Sequence, residues 1–281
     1  MAVASLNEIE IFYETFGSAD GPPLVLINGL GSQCIRWPEG FKDAIVQQRF
    51  YLIVFDNRDT GLSTKFEAAT QSPPYTVDDM ADDVVALLDQ LGVEAAHIVG
   101  QSMGGTIAQV LAIRYPERVL SLASIMSATG DDPVLSTDPD VMAIFSEPPA
   151  ATREEAIEQD VRHRRIMSGP GFPFDEDAMR DLAVRTYDRC YAPDGRVRQM
   201  LAIRAAPGRA SALAQLDVPT VVIHGTGDRL VPVGNGERTA AVVPGAELVL
   251  IDGMGHDLPR GAWDEIVSAI VRNTKRATPR A

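Results

Sequence analysis

Short apolar runs alternate with longer stretches of helical periodicity along most of this chain. The pattern predicts seven strands, at residues 8–13, 24–27, 51–55, 96–99, 120–126, 220–224 and 247–251. The central runs consist almost entirely of Val, Ile and Leu, as is usual for strands that are buried on both faces. Alternation of such strands with helices is typical of an α/β fold, with a mostly parallel sheet flanked by helices.

Three helices between these strands are predicted from their apolar stripes. One begins after the capping residue Thr76 and ends at Gly92, and its first turns are rich in Asp, which the helix dipole favours. A second runs from Ser102 to Tyr115, where Pro116 follows. A third lies near the C-terminus, and its apolar face consists of Trp263, Ile266, Val267 and Ile270.

The stretch from residue 130 to residue 208 interrupts the alternation. Its periodicity is helical, it contains no convincing strand, and Thr152 and Glu155 have the spacing of a capping box. Loops rich in proline and glycine separate its helices. We therefore predict a helical cap, or lid, of residues 130–208 inserted into an α/β core made of residues 1–129 and 209–281.

The pentapeptide Gly100-Gln101-Ser102-Met103-Gly104 directly follows one of the buried strands. A G-x-S-x-G pattern at the end of a strand is the pattern of a nucleophile elbow, a turn so tight that the serine hydroxyl is exposed at its tip. Glycines flank the serine because a Cβ there would collide with the neighbouring strand or helix. The pattern predicts Ser102 as a catalytic nucleophile.

A serine nucleophile needs a base and an acid that orients the base, and in elbow enzymes these follow in the order Ser, Asp or Glu, His. His256, in a glycine-rich loop after the last strand, fits the base best. Asp228 fits the acid, since it leaves the preceding strand through two glycines; Asp252 is the competing acid. Of the other histidines, His97 is expected at the opposite end of the sheet and His163 on a solvated helix face. The last, His224, lies within a strand.

An oxyanion hole requires two N–H donors near the reacting carbonyl. The residue after the nucleophile, Met103, supplies one, and the loop after the second strand supplies the other, for which Leu30 is the best candidate. Gly29 and Gly31 in that loop are also compatible with a dinucleotide-binding loop. Cys34 occupies the place of the third glycine, however, so a nucleotide site is not favoured.

Charge and composition narrow the possible partners. The formal net charge of −14 argues against nucleic acid or an anionic membrane surface as a partner. The two cysteines have neither the spacing of a zinc site nor that of a disulfide framework, so no metal is expected. The first residues lack the pattern of a signal peptide, and no apolar run is long enough to cross a bilayer. We therefore expect a cytoplasmic protein without a membrane partner.

These motifs together resemble those of the α/β-hydrolase superfamily. The match includes DNRDTGLS at 56–63, GTGDRLVP at 225–232 and GMGH at 253–256. Within the superfamily the chain is most similar to the aclacinomycin methylesterase-like carboxylesterases, because of RDTG at 58–61 and RIMSGPGFPFD at 165–175. The resemblance implies a cofactor-free carboxylic ester hydrolase with Ser102, Asp228 and His256 as its triad. Asn28 departs from the histidine that usually opens the oxyanion loop.

The leading hypothesis is a serine carboxylesterase that cleaves a small to medium apolar ester through an acyl-enzyme intermediate. The predicted pocket side chains are Trp37, Phe145, Met167, Phe172 and Phe174. Two alternatives keep the same triad: hydrolysis of a carbon–carbon bond, and cofactor-free perhydrolysis. A third is a hydrolase-like receptor that binds a ligand without turnover. In each case the expected partner is a small molecule.

Overall fold

The computed structural model describes residues 2–6, 8–67, 73–131 and 136–277. Within these ranges eight strands form one sheet: β1 (Ala2–Leu6), β2 (Ile9–Phe16), β3 (Pro23–Ile27), β4 (Tyr51–Phe55), β5 (Ala96–Gln101), β6 (Val119–Ile125), β7 (Thr220–Gly225) and β8 (Glu247–Ile251). The same ranges contain ten helices: α1 (Glu39–Val46), α2 (Val77–Gln90), α3 (Met103–Arg114), α4 (Pro139–Ser146), α5 (Arg153–Met167), α6 (Glu176–Arg189), α7 (Pro193–Ala205), α8 (Ala210–Leu213), α9 (Gly234–Val242) and α10 (Trp263–Thr274).

The strand order in the sheet is β1-β2-β4-β3-β5-β6-β7-β8. Strand β2 is antiparallel to both β1 and β4, whereas every pair from β4 to β8 is parallel. The prediction of a mostly parallel sheet is therefore confirmed. Because parallel strands end at the same edge, the loops after β3, β5, β7 and β8 meet there, and ligand sites of open α/β sheets lie at this edge.

The central strands of the sheet are buried on both faces because helices cover both faces. In β3, Val25 and Ile27 belong to one apolar cluster together with side chains of α2 and α3. Leu24 and Leu26 point to the other face and pack with α1 and α10. Full burial of one such side chain stabilises the fold by about 1.5–3 kcal/mol. The continuous apolar runs in the sequence therefore reflect a three-layer arrangement.

The helix ends predicted from sequence are confirmed at two caps. Thr76 Oγ1 accepts from the N–H of Asp79, whose carboxylate accepts in return from the Thr76 N–H, so the two close a capping box at α2. Thr152 and Glu155 form the same arrangement at the start of α5. Each such cap satisfies N–H groups that have no partner within the helix.

Strand β1 was not predicted from the sequence. It pairs antiparallel with β2, which extends to Phe16 rather than ending at residue 13. Ala4 and Leu6 are buried while Val3 is 53% exposed, so the strand does alternate. Its small side chains give that alternation little contrast, which is why the pattern alone did not reveal it.

Helices α4 to α7 lie between β6 and β7 in the chain, within the segment that the sequence predicted as a cap. Helices α5 and α6 pack together around a small apolar cluster of Ile157, Val161 and Ala183, separate from the two sheet clusters. Residues 132–135 of the predicted cap lie outside the described residues. Its division from the core as a domain of its own stays a prediction. Within the described part of the chain, no helix is both long and apolar enough to cross a membrane.

Candidate active site

Ser102 occupies the single residue between strand β5 and helix α3. Its backbone has φ 54° and ψ −120°, a conformation that costs a non-glycine residue on the order of 1–3 kcal/mol. The Ser102 N–H donates to Ile125 O at 2.8 Å, which ties the turn to β6. A Cβ at Gly100 would lie 2.1 Å from Gly104 O, and one at Gly104 would lie 2.1 Å from Ile27 O. Both glycines are thus required by the close approach of backbone atoms.

The three residues predicted as a triad lie together and form one hydrogen-bonded series. His256 Nε2 is 2.9 Å from Ser102 Oγ, and His256 Nδ1 is 2.7 Å from Asp228 Oδ2. The other oxygen of Asp228 accepts from the N–H groups of Leu230 and Val231 at 2.9 and 2.8 Å. This carboxylate is therefore held by its own loop, in the orientation that places a proton on Nδ1 and leaves Nε2 to face the serine.

The main chain holds His256 in place as well. Its N–H donates at 2.8 Å to the carbonyl oxygen of Met167, the last residue of α5. Its neighbour Asp257 is buried, which raises the pKa of that carboxyl to about 6. The competing acid, Asp252, accepts a hydrogen bond from Thr226 Oγ1 at 3.0 Å. Its carboxylate is therefore bonded to the loop after β7 and not to the imidazole.

The remaining histidines have other partners. His224 is fully buried and its Nε2 donates to Val231 O at 2.7 Å, directly beneath the Asp228 loop. His97 is buried at the far end of β5 and bonds Ser121 at 2.9 Å. The prediction of a solvated face for His163 is wrong: the side chain is buried and lies 2.7 Å from Glu147. It turns toward the interior of the inserted helices because α5 uses this face for packing.

The loop after β3 lies against the nucleophile. A Cβ at Gly29 would lie 3.3 Å from Ser102 Cβ, so this loop has to pass close to the elbow. Among the described residues, the N–H groups of Leu30 and Met103 donate to no protein acceptor. The Met103 N–H is also the first of helix α3, where the dipole favours negative charge. The arrangement leaves two donors free beside the serine, as an oxyanion hole requires.

Asn28, at the position where the sequence departs from the superfamily pattern, stabilises this loop in its own way. Its Nδ2 donates to Gln33 O at 3.1 Å, and its carbonyl oxygen accepts from Asn57 Nδ2 at 3.2 Å. The Asn28 side chain therefore closes the loop on itself, and its backbone carbonyl joins the loop to the loop after β4.

A cavity of about 350 Å³ lies between the inserted helices and the loops after β3 and β4. Of the five side chains predicted to line a pocket, the structure places Phe145 in its wall and the other four elsewhere. Trp37 is fully buried and stacks on Phe41 in the sheet core, at 5.6 Å between ring centres. Phe172 packs over Gly261, and Phe174 joins the apolar cluster between α5 and α6. The half-buried Met167 meets the site through its carbonyl oxygen.

Sequence reasoning missed the residues that join the inserted helices to the site. Gln199 of α7 is fully buried and accepts from the N–H of Gly31 at 2.8 Å. Arg198 forms a two-bond ion pair with Asp59, at 2.8 and 2.9 Å. These contacts join residues 168 and 139 positions apart in the chain. In the sequence, Gln199 and Arg198 are only two polar residues of a helical segment, and nothing near them indicates their partners.

Comparison with known proteins gives consistent results. A family model described as the alpha/beta hydrolase fold matches residues 22–259. Rhodomycin D methylesterase DnrP of Streptomyces peucetius and its counterpart DauP of another Streptomyces strain are each 31% identical to this chain, over 97% of both sequences. Among solved structures, the meta-cleavage product hydrolase CumD of Pseudomonas fluorescens superimposes with a TM-score of 0.79 at 22% identity, covering 99% of this chain and 98% of its own.

Proposed function

This chain belongs to the alpha/beta hydrolase family, and from that premise we propose that it is a serine carboxylic ester hydrolase that works through an acyl-enzyme. One observation above all supports the proposal: the series Ser102–His256–Asp228, with hydrogen bonds of 2.9 and 2.7 Å. A serine hydroxyl is a weak nucleophile at neutral pH, and a base at this distance, oriented by a carboxylate, is what activates it.

In the proposed reaction, Ser102 Oγ attacks the ester carbonyl carbon while His256 Nε2 takes the hydroxyl proton. The carbonyl oxygen becomes an oxyanion, which accepts hydrogen bonds from the N–H groups of Leu30 and Met103. As the carbon–oxygen bond to the alcohol breaks, His256 gives its proton to the leaving oxygen, and the acyl group stays on Ser102. Asp228 remains ionised throughout and stabilises the imidazolium.

The second half of the reaction uses the same groups. A water molecule attacks the acyl carbon and His256 takes its proton. When the new tetrahedral intermediate collapses, the proton returns to Ser102 Oγ and the carboxylic acid leaves. Two amides held beside the oxyanion stabilise both intermediates; loss of one such donor costs about 2.7–4 kcal/mol in characterised enzymes.

Methyl esters of carboxylic acids are the first candidate substrates, because the two relatives at 31% identity are named methylesterases. We propose that helices α4 to α7 act as the cap over the site. The wall of the cavity beneath them includes the apolar side chains Ile144, Phe145, Ala183 and Leu201. A small to medium acyl or alcohol group fits such a wall.

The test is hydrolysis of a panel of methyl and p-nitrophenyl esters by the wild type and by Ser102→Ala. The proposal predicts multiple turnovers for the wild type and a loss of kcat of at least about 10⁴-fold in the variant. A dienone and an ester with added hydrogen peroxide belong in the same panel, since carbon–carbon hydrolysis and perhydrolysis use the same triad. Full activity of Ser102→Ala would overturn the mechanism, and binding without turnover would favour a receptor.

A further inference from the structure

The wall of the cavity under the inserted helices contains charged side chains as well as apolar ones. Arg36, from the short helical turn Cys34–Arg36 after the β3 loop, and Arg196, from α7, both line it. Arg164 of α5 belongs to the same group, because its Nε lies 3.7 Å from Asp160, which pairs with Arg36. Burial, together with the charges of Arg36 and Arg196, lowers the pKa of Arg164 to about 10. Three arginines from three different elements thus form one cluster, and two of them, Arg36 and Arg196, line the cavity.

The carboxylates near these three arginines do not balance their positive charges. Asp160 Oδ2 is 2.8 Å from Arg36, and its other oxygen is 3.7 Å from Arg164 Nε. Among the described residues, Arg196 has no ion pair; it lies 5.4 Å from the ring centre of Phe145. The other acids in the wall are already paired, Asp59 with Arg198 and Glu147 with Arg162 and His163. Outside the wall, Asp257 also interacts with Arg164, which leaves two carboxylates for three arginines.

Two donors of this cluster have no acceptor in the described protein. The Arg36 side chain is only 8% exposed, and its Nη1 is buried and donates no hydrogen bond. Arg164 Nε is buried and also donates no hydrogen bond, since Asp160 at 3.7 Å is too far away to accept one. A buried guanidinium with free donors is costly, because charged groups lose far more on leaving water than neutral ones. An anion that enters the cavity would supply the missing acceptors and reduce the repulsion among the arginines.

One loop contacts both the cluster and the nucleophile. The side chain of Arg196 lies 3.3 Å from the place of a Cβ at Gly31, and a Cβ at Gly29 would be equally close to Ser102 Cβ. Two residues of extended chain span at most about 7 Å. The β3 loop therefore joins the stem of Arg196 to the nucleophile, and an anionic group attached to the reacting ester through a chain of matching length would meet the arginines while its carbonyl lies at Ser102.

We propose that Arg36, Arg164 and Arg196 form a carboxylate-binding subsite that selects esters carrying a second, ionised carboxyl group. The inference rests on the proposed ester hydrolase function and names the class of its substrate. A planar carboxylate suits arginine in particular, since the guanidinium fork can donate two parallel hydrogen bonds to it. The half-esters of short dicarboxylic acids are the simplest members of this class.

The experiment compares two p-nitrophenyl esters of the same chain length, the pentanoate and the half-ester of glutarate. They differ in a terminal methyl or carboxylate group. The protein carries a net charge of −14, so long-range electrostatic repulsion opposes the anionic substrate. The subsite is expected to make kcat/KM of the wild type at least about tenfold higher for the glutarate half-ester. Because the net charge acts in the opposite direction, such a gain has to come from local contacts in the cavity.

Arg196→Met is the informative variant, because this side chain has no ion pair to lose. It is expected to lower kcat/KM for the glutarate half-ester about 10- to 100-fold, mainly through KM, and to change that for the pentanoate less than about threefold. Glutarate itself should inhibit the wild type competitively and the variant much more weakly. The matched control is Arg165→Met, which removes an exposed arginine of α5 paired with Glu176 and should leave both substrates unaffected.

Equal kcat/KM for the two esters in the wild type, or an equal loss on both in Arg196→Met, would overturn the subsite. In either case hydrolysis of the pentanoate by the wild type would leave the esterase proposal intact. Absence of hydrolysis of any ester would instead remove the esterase proposal, and the subsite with it.

Discussion

Gln199 offers the sharpest test of how the inserted helices support the site. Its Oε1 accepts from the N–H of Gly31, and its Nε2 donates to Arg58 O and Thr60 Oγ1, each at 2.8 Å. The residue before Gly31 is Leu30, a proposed oxyanion donor. Replacing Gln199 by leucine removes all three bonds at nearly constant side-chain volume, so the loop loses its attachment to α7.

The expected cost follows from the groups left behind. The N–H of Gly31 and the carbonyl of Arg58 would each lose a partner. A buried unsatisfied polar group costs about 1–3 kcal/mol, so the free energy of unfolding should fall by about 2–6 kcal/mol. Loss of a whole oxyanion donor lowers kcat by about 10²–10³. Displacement of Leu30 rather than its loss should lower kcat by about 10- to 100-fold.

The assay combines steady-state kinetics on a neutral ester with urea unfolding. Gln109→Leu is the matched control: Gln109 is also fully buried, donates to Ser124 Oγ and accepts from Arg209, but it lies on α3 away from the loop. It should lose stability while kcat stays within about threefold. If both variants lose kcat in proportion to their stability, or if Gln199→Leu keeps the wild-type kcat, Gln199 has no positioning role.

Three further predictions concern the core, the elbow and the acid. Burial lowers the pKa of His97 to about 4, so the unfolded chain binds the proton first as the pH falls below about 6.5; this imidazole should account for about 2 kcal/mol of the stability lost between pH 7.5 and 5, and His97→Gln should lose that much less in urea titrations at the two pH values. An equal loss in both proteins would show that another group is responsible. Gly104→Ala would place a Cβ 2.1 Å from Ile27 O, and it should lower the melting temperature and kcat together; unchanged values would mean that the turn is looser than described. Asp228→Asn should keep the circular dichroism spectrum and lower kcat by about 10⁴, because the amide no longer fixes the tautomer of His256, and a loss under tenfold would argue for a different acid.

The sequence was informative wherever chemistry depends on the order of elements. Ser102, Asp228 and His256 each follow a strand of the parallel part of the sheet. Parallel strands bring their carboxyl ends to one edge, so the meeting of these residues could be inferred without coordinates. The capping box of Thr152 and Glu155 could be read because all of its contacts lie within four residues.

The inserted helices show where such reasoning stops. Their apolar residues can pack against each other, against the core or around a cavity, and periodicity does not distinguish these faces. For that reason Phe174 was expected in the pocket and lies between α5 and α6, whereas His163 was expected in solvent and is buried. Gln199 and Arg196 were missed because their contacts reach across more than 130 residues to Gly31.

The most direct test of the central claim is to trap the acyl group on Ser102. After brief mixing with a p-nitrophenyl ester under acidic quench, mass spectrometry of the intact protein should show one added acyl group. Peptide mapping should place that group on Ser102, and Ser102→Ala should show neither the adduct nor turnover. Turnover that persists in Ser102→Ala, or an adduct confined to another residue, would contradict the account.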